Sequence, residues 1–199
     1  MFNFKKKNKA SDSQLWVKFK DRKNTTDVLV EKGKILAPFA IDLMGNNTNL
    51  LFQQIKKDQR SRNTEGKSGE VFFEIVLFYT HFIDRQAFQF LNQEQRYIFM
   101  YAFIEESRSL LNQTFYKDTE EEEFQNYYNS LWEQRQIEYG QYKSIMAEND
   151  QGFAGTLFWE FGKKIAKILD SENDIVIIMY VQTILGAVTI LQIPELLKE

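Results

Sequence analysis

The sequence predicts an all-α fold: a single-domain bundle of about six helices with a basic N-terminal extension. Three observations lead there. Apolar residues recur at three- and four-residue steps over most of the chain from Gly33 onward. Only 2 Pro and 9 Gly occur in 199 residues, too little turn chemistry for a fold of many short strands. Two helix-start signatures, "NQEQ" and "KDTEEEEF", stand ahead of long amphipathic runs. The composition, 43% hydrophobic with 18 Phe, is enough for one domain with a bulky aromatic core.

Residues 1–32 form the extension and residues 33–199 the bundle. The first 35 residues hold ten Lys and Arg against four acids and read as a solvated tail. "DVLVEKGKIL" could make a small hairpin within this region. The opening "MFNFKKKNKASDSQ" lacks the apolar stretch of a secretory leader. Nucleic acid is not the expected partner, because only Trp16 and Phe19 interleave with the basic residues as stacking groups.

"KILAPFAIDLMGNNTNLLFQQIKK" reads as two short helical pieces joined by a loop at "GNNTN". A polar connector follows, then a long helix from Gly69 to Leu91. Asn92 caps the next helix, with Gln95 completing a capping box, and that helix runs to Phe115. Asp118 or Thr119 starts another, reaching Met146. Its acidic run lies at the positive end of the helix dipole, so the run is structural rather than a cation site. Gly152 to Leu169 is amphipathic. After "DSEND" a last helix spans Ile175 to Gln192, stopped by Pro194. Its Val, Ile and Thr would also suit a strand, but the length of the run favours helix.

The chain has no Cys and one His, His81. Disulfides, thiolate chemistry, zinc ribbons and iron–sulfur sites are thereby excluded. Gly66-Lys67-Ser68 lacks the upstream glycine and strand of a phosphate-binding loop, and Gly152 to Gly155 lacks a dinucleotide fingerprint. No metal site and no cofactor are expected: His81-x-x-Asp84 occurs once, whereas dinuclear bundles use Glu-x-x-His twice.

On a helical wheel, Glu70, Glu74, His81, Asp84 and Arg85 fall within about 100° of arc, at 100° per residue. The rest of that helix is apolar. The stripe is a window to water, a buried network, or a catalytic or metal site. A second polar intrusion, Arg135 and Glu138, breaks the apolar seam of Phe124, Tyr128, Leu131, Tyr142 and Ile145. Glu105 and Arg108 make a similar pair one helix earlier. Arg135 can reach Asp84 or Glu74 across the bundle. Glu74, His81, Asp84, Arg135 and Glu138 are then one polar centre, and they are the candidate ligand-binding residues. No catalytic residue is assigned.

The thin catalytic inventory favours a non-enzymatic interaction or adaptor module, with a protein partner met through the acidic middle or the basic tail. Residues 70–150 carry fifteen acids against six Lys and Arg. A bundle binding a small polar or apolar ligand near His81 and Arg135 is the first alternative. A metal-dependent or acid–base enzyme using Glu74, His81 and Asp84 is the second. The three differ in whether His81→Ala is silent, weakens a ligand, or abolishes turnover. The expected location is the cytoplasm. The uncharged run at residues 175–193 approaches a spanning length, so a C-terminal anchor on the cytoplasmic face of a membrane is the alternative to a buried helix.

Overall fold

The computed structural model describes residues 19, 22–58, 64, 66–115, 121–145 and 154–198. Within them lie seven α-helices and no strand: α1 (Thr26–Lys57), α2 (Ser68–Phe90), α3 (Gln93–Phe115), α4 (Glu121–Gly140), α5 (Leu157–Ile168), α6 (Ile175–Leu185) and α7 (Ile193–Leu197). A 3-10 segment, Gly186–Leu191, joins the last two. The all-α bundle expected from periodicity is the observed architecture.

The largest departure is α1. It runs unbroken through 32 residues, about 48 Å at 1.5 Å per residue. "DVLVEKGKIL" is its first turns, not a hairpin, and the helix begins ahead of the expected boundary at residue 33. "GNNTN" is mid-helix, not a loop. Asn47 and Thr48 are buried and meet their hydrogen-bonding needs within the helix and across the bundle. Asn47 donates through Nδ2 to the Tyr79 hydroxyl (2.5 Å) and the Ile184 carbonyl (3.1 Å). Thr48 Oγ1 donates to the carbonyl of Met44 one turn back (2.8 Å). Tertiary partners thus outweigh the loop propensity of the pentapeptide.

Gly33 explains how α1 docks. A Cβ built there would lie 2.6 Å from the Phe99 carbonyl oxygen and 2.9 Å from the Phe103 nitrogen. The helices α1 and α3 cross backbone to backbone at this point, and no larger residue fits. Gly162 plays the same part between α5 and α6, its Cβ position 2.8 Å from Ile178 Cγ2.

The capping box before α3 forms as expected. Asn92 Oδ1 accepts from the Gln95 amide (3.0 Å), and Gln95 Oε1 accepts from the Asn92 amide (3.1 Å). The proposed caps Asp118 and Thr119 lie outside the described residues. The next helix, α4, stops at Gly140, short of Met146. Thr156 caps α5 and Asp174 caps α6 through side-chain oxygens. The last expected helix is shorter than its apolar run: α6 has 11 residues before the chain tightens into the 3-10 segment. Gln192 is left-handed (φ 47°), and Pro194 lies in the first turn of α7. Proline therefore begins a helix here instead of ending one, because its missing N–H falls among the unpaired first-turn amides. No described helix is long and apolar enough to cross a membrane, so the anchor at residues 175–193 is not supported.

The core is one cluster fed by every helix. Its aromatic centre is Phe78, whose ring lies 4.0 Å from that of Phe161 and 5.6 Å from those of Tyr139 and Phe158. Aromatic pairs at such spacings stabilise beyond their buried area. They also fix α2 against α4 and α5, which sets the place of the polar groups.

Candidate functional site

Glu74 and His81 of the polar stripe of α2 face α4, not open water. Glu70 at its start is exposed. One turn on, Glu74 is only 6% exposed, and about three turns on, His81 is only 4% exposed. Burial this deep requires the charge on Glu74 to be paired. Arg135 of α4 supplies the pair as a fork: Nε donates to Oε1 (2.6 Å) and Nη2 to Oε2 (2.8 Å). The Tyr139 hydroxyl, one helical turn on, also donates to Oε1.

Glu138 extends the network. It accepts from Arg135 Nη1 (3.3 Å) and from Lys164 Nζ of α5 (2.6 and 2.7 Å). Lys164 also lies 4.0 Å from Glu74 and over the Tyr139 ring, 5.8 Å from its centroid. Two carboxylates thus face two cations, and the cluster is neutral overall. Hydrogen bonding to Glu74 holds Arg135 even more firmly protonated than an ordinary guanidinium. Burial, followed by the charge of Glu74, pushes the Tyr139 phenol far up, so it remains a donor. The arrangement pins α2, α4 and α5 together by charge-assisted bonds.

Of the two reaches open to Arg135, the structure shows the one to Glu74. Asp84 is taken by Arg96 of α3, again through a fork (Nε to Oδ1 2.6 Å, Nη2 to Oδ2 2.5 Å). The five candidates therefore divide. Glu74, Arg135 and Glu138 form one network. Asp84 belongs to a second ion pair near the α2–α3 corner. His81 lies between them, its Nδ1–H donating to Gln136 Oε1 (2.9 Å). Arg85 completes the stripe by donating to the carbonyls of Tyr142 (2.7 Å) and Lys143 (2.8 Å) beyond the end of α4.

His81 is neutral in this setting. Burial lowers its pKa from the ordinary imidazole value, and the Gln136 contact only partly opposes that. With Nδ1 protonated, Nε2 offers a lone pair. That atom and Gln136 Nε2 are buried without a hydrogen-bond partner among the described residues. Glu74, His81 and Asp84 do not converge on a common point. Each is engaged by a different side chain, and among the described residues no three His, Cys, Asp or Glu side chains are grouped as metal ligands.

The larger concavity lies on the other side of α4. A groove of about 900 Å³ runs between α3 and α4, with Asp84 at one end. Its apolar lining is Tyr97, Met100, Tyr101, Ile104 and Trp132, and Gln136 also lines it. Tyr97 and Tyr101 are 70% and 57% exposed, their rings stacked at 6.1 Å. At the far end Arg108 ties Glu105 (2.6 Å to each oxygen) to Asn129 of α4 (3.2 Å).

The polar centre was visible in sequence because charges interrupt an apolar seam, whereas the groove was not. Its signal is a second face on α3. Phe99, Ala102 and Phe103 turn inward against α1, while Tyr97, Tyr101 and Ile104 repeat at helical spacing on the groove side, with buried Met100 between the two faces. A helix with two apolar faces has two things to cover. Lys164 and Arg96 were missed as partners because they lie on neighbouring helices, out of register with any local pattern. No family model, curated protein or solved structure matches the chain.

Proposed function

We propose that this protein is a non-enzymatic interaction module and that the groove between α3 and α4 is its docking face. The single observation that carries this reading is the unburied aromatic wall of the groove. Tyr97 and Tyr101 hold two large rings in water beside Met100, Ile104 and Trp132. Aromatic rings left in water beside a half-buried apolar floor have the composition of a binding surface. Tyrosine, tryptophan and methionine are also the residues enriched at interface centres. The ionised side chains of α2 and α4 support the same view from the other direction. Glu74, Asp84, Arg135 and Glu138 are engaged in fixing the helices that form the groove.

The test places a photo-crosslinking amino acid at Tyr101 and, as control, at exposed Lys34 on α1, in cells that produce the protein. A partner captured from Tyr101, not from Lys34, and lost on Trp132→Ala supports the reading. Equal capture from both positions, or capture insensitive to Trp132→Ala, refutes it.

A small-ligand reading has one specific observation in its favour. Gln136 lines the groove, and it and His81 each keep a buried polar atom without a partner among the described residues. A hydrogen-bond acceptor reaching the Gln136 amide from the groove would satisfy that atom. Native mass spectrometry of protein purified from its source would show a co-purifying small molecule, absent from Gln136→Leu, if this reading held.

A further inference from the structure

The groove lining specifies the chemistry of its occupant. Two cations and four carboxylates line it: Arg96, Arg108, Asp84, Glu94, Glu105 and Glu133. Both cations are already neutralised inside the protein, Arg96 by Asp84 and Arg108 by Glu105. Glu94 and Glu133 remain. Both are exposed, and neither makes an ion pair among the described residues. The groove therefore presents an apolar wall with a surplus of two negative charges. Its length, from Gln93 to Arg108 along α3, is about 22 Å at 1.5 Å per residue, or four helical turns.

An anionic occupant, whether nucleic acid or an acidic membrane surface, is repelled by this lining. A wholly apolar ligand leaves the two carboxylates unused. We infer that the groove receives a basic amphipathic helix from a protein partner. Such a helix lays apolar residues at i, i+3 or i+4, and i+7 along Tyr97, Tyr101, Ile104 and Trp132, and brings Lys or Arg to Glu94 and Glu133. The two carboxylates set orientation and encounter rate. This deepens the docking-face reading and rests on it.

The test titrates the full chain against three fluorescein-labelled 15-residue peptides, followed by anisotropy. One carries Leu at positions 1, 4, 8 and 11 and Lys on the flanking positions. The second replaces Lys by Glu, and the third scrambles the first. The basic amphipathic peptide is expected to bind at least tenfold more tightly than either control. Its affinity should fall about fivefold or more in the Glu94→Gln/Glu133→Gln variant, whose thermal midpoint stays unchanged. It should also fall in Tyr101→Ala.

Equal binding of the basic and acidic peptides, with loss on Tyr101→Ala, leaves the docking face standing and overturns the charge inference. Binding indifferent to both variants overturns the inference as non-specific attraction. Failure of every peptide to bind overturns it too, while the docking face itself stands or falls on the crosslink from Tyr101. A Tyr101-dependent dimer in sedimentation, or a crosslink from the groove to residues 1–18 of the same chain, assigns the groove to this protein itself and likewise overturns the proposal.

Discussion

Replacing Arg135 by Met should be among the most damaging single changes outside the apolar core. The side chain of Glu74 is 7% exposed and that of Arg135 17%, so water screens the pair little. Methionine leaves the Glu74 carboxylate in place with the Tyr139 hydroxyl and a more distant Lys164 at 4.0 Å. Removing one partner of a buried pair costs roughly 3–5 kcal/mol. The remaining contacts put this case at the lower end, about 3 kcal/mol. For a chain of this size that is a fall of about 6–12 °C in Tm. Glu74→Met should cost a similar amount, by stranding Arg135 with Glu138 alone. The double variant Glu74→Met/Arg135→Met strands neither charge, so its loss should be smaller than the sum of the singles by at least about 2 kcal/mol. Urea unfolding, followed by circular dichroism and by tryptophan fluorescence, gives all three values and shows whether the transitions coincide. Additive losses, or single losses under about 1 kcal/mol, would refute the claim that this pair is buried and coupled.

Three further outcomes follow from separate features. Gly33→Ala should destabilise despite the better helix propensity of alanine, by about 1–3 kcal/mol of overpacking. The new Cβ meets backbone atoms of α3 at 2.6 and 2.9 Å, and an unchanged or raised Tm would contradict the close crossing. Asn92→Ala should cost about 1 kcal/mol by removing the cap on α3, read as a lower urea midpoint with unchanged slope. The His81 imidazole has a folded-state pKa below its unfolded value, so the unfolded chain binds the extra proton first. Its contribution therefore erodes stability as pH drops through about 6.5 and below, and vanishes above that. His81→Gln should flatten the dependence of Tm on pH between 7.5 and 5. An identical slope in both proteins would show that another group titrates there.

The fold class was legible because helical periodicity and the scarcity of Gly and Pro act over the whole chain. The long helices α2 and α3 were placed within a residue or so for the same reason, and Asn92 with Gln95 carried the corner between them. The failures have local causes. "GNNTN" is rich in loop formers, but Asn47 finds Tyr79 and Ile184 across the bundle, and nothing in the local sequence encodes those partners. Pro194 was taken as a stop because a proline after an apolar run usually is one. The left-handed Gln192 that turns it into a start is a backbone event without a residue signature. In the site, the pairing of Glu74 with Arg135 followed from two charged intrusions that had to meet. Asp84 pairs instead with Arg96, a residue on the neighbouring helix that no local pattern singles out. The groove escaped notice because periodicity shows that a face is apolar, not whether anything covers it.

Asn24, ahead of the first helix, donates through Nδ2 to the carbonyl of Leu197, 173 residues further on (2.9 Å), while its Oδ1 accepts from buried Lys32 (2.6 Å). A latch of this span cannot close early. During synthesis the segment around residue 24 must wait, its amide group and the lysine beneath it still hydrated, until residue 197 has cleared the ribosome. The same latch means that deleting Ile193–Leu197 would loosen the beginning of α1, far from the deletion along the sequence.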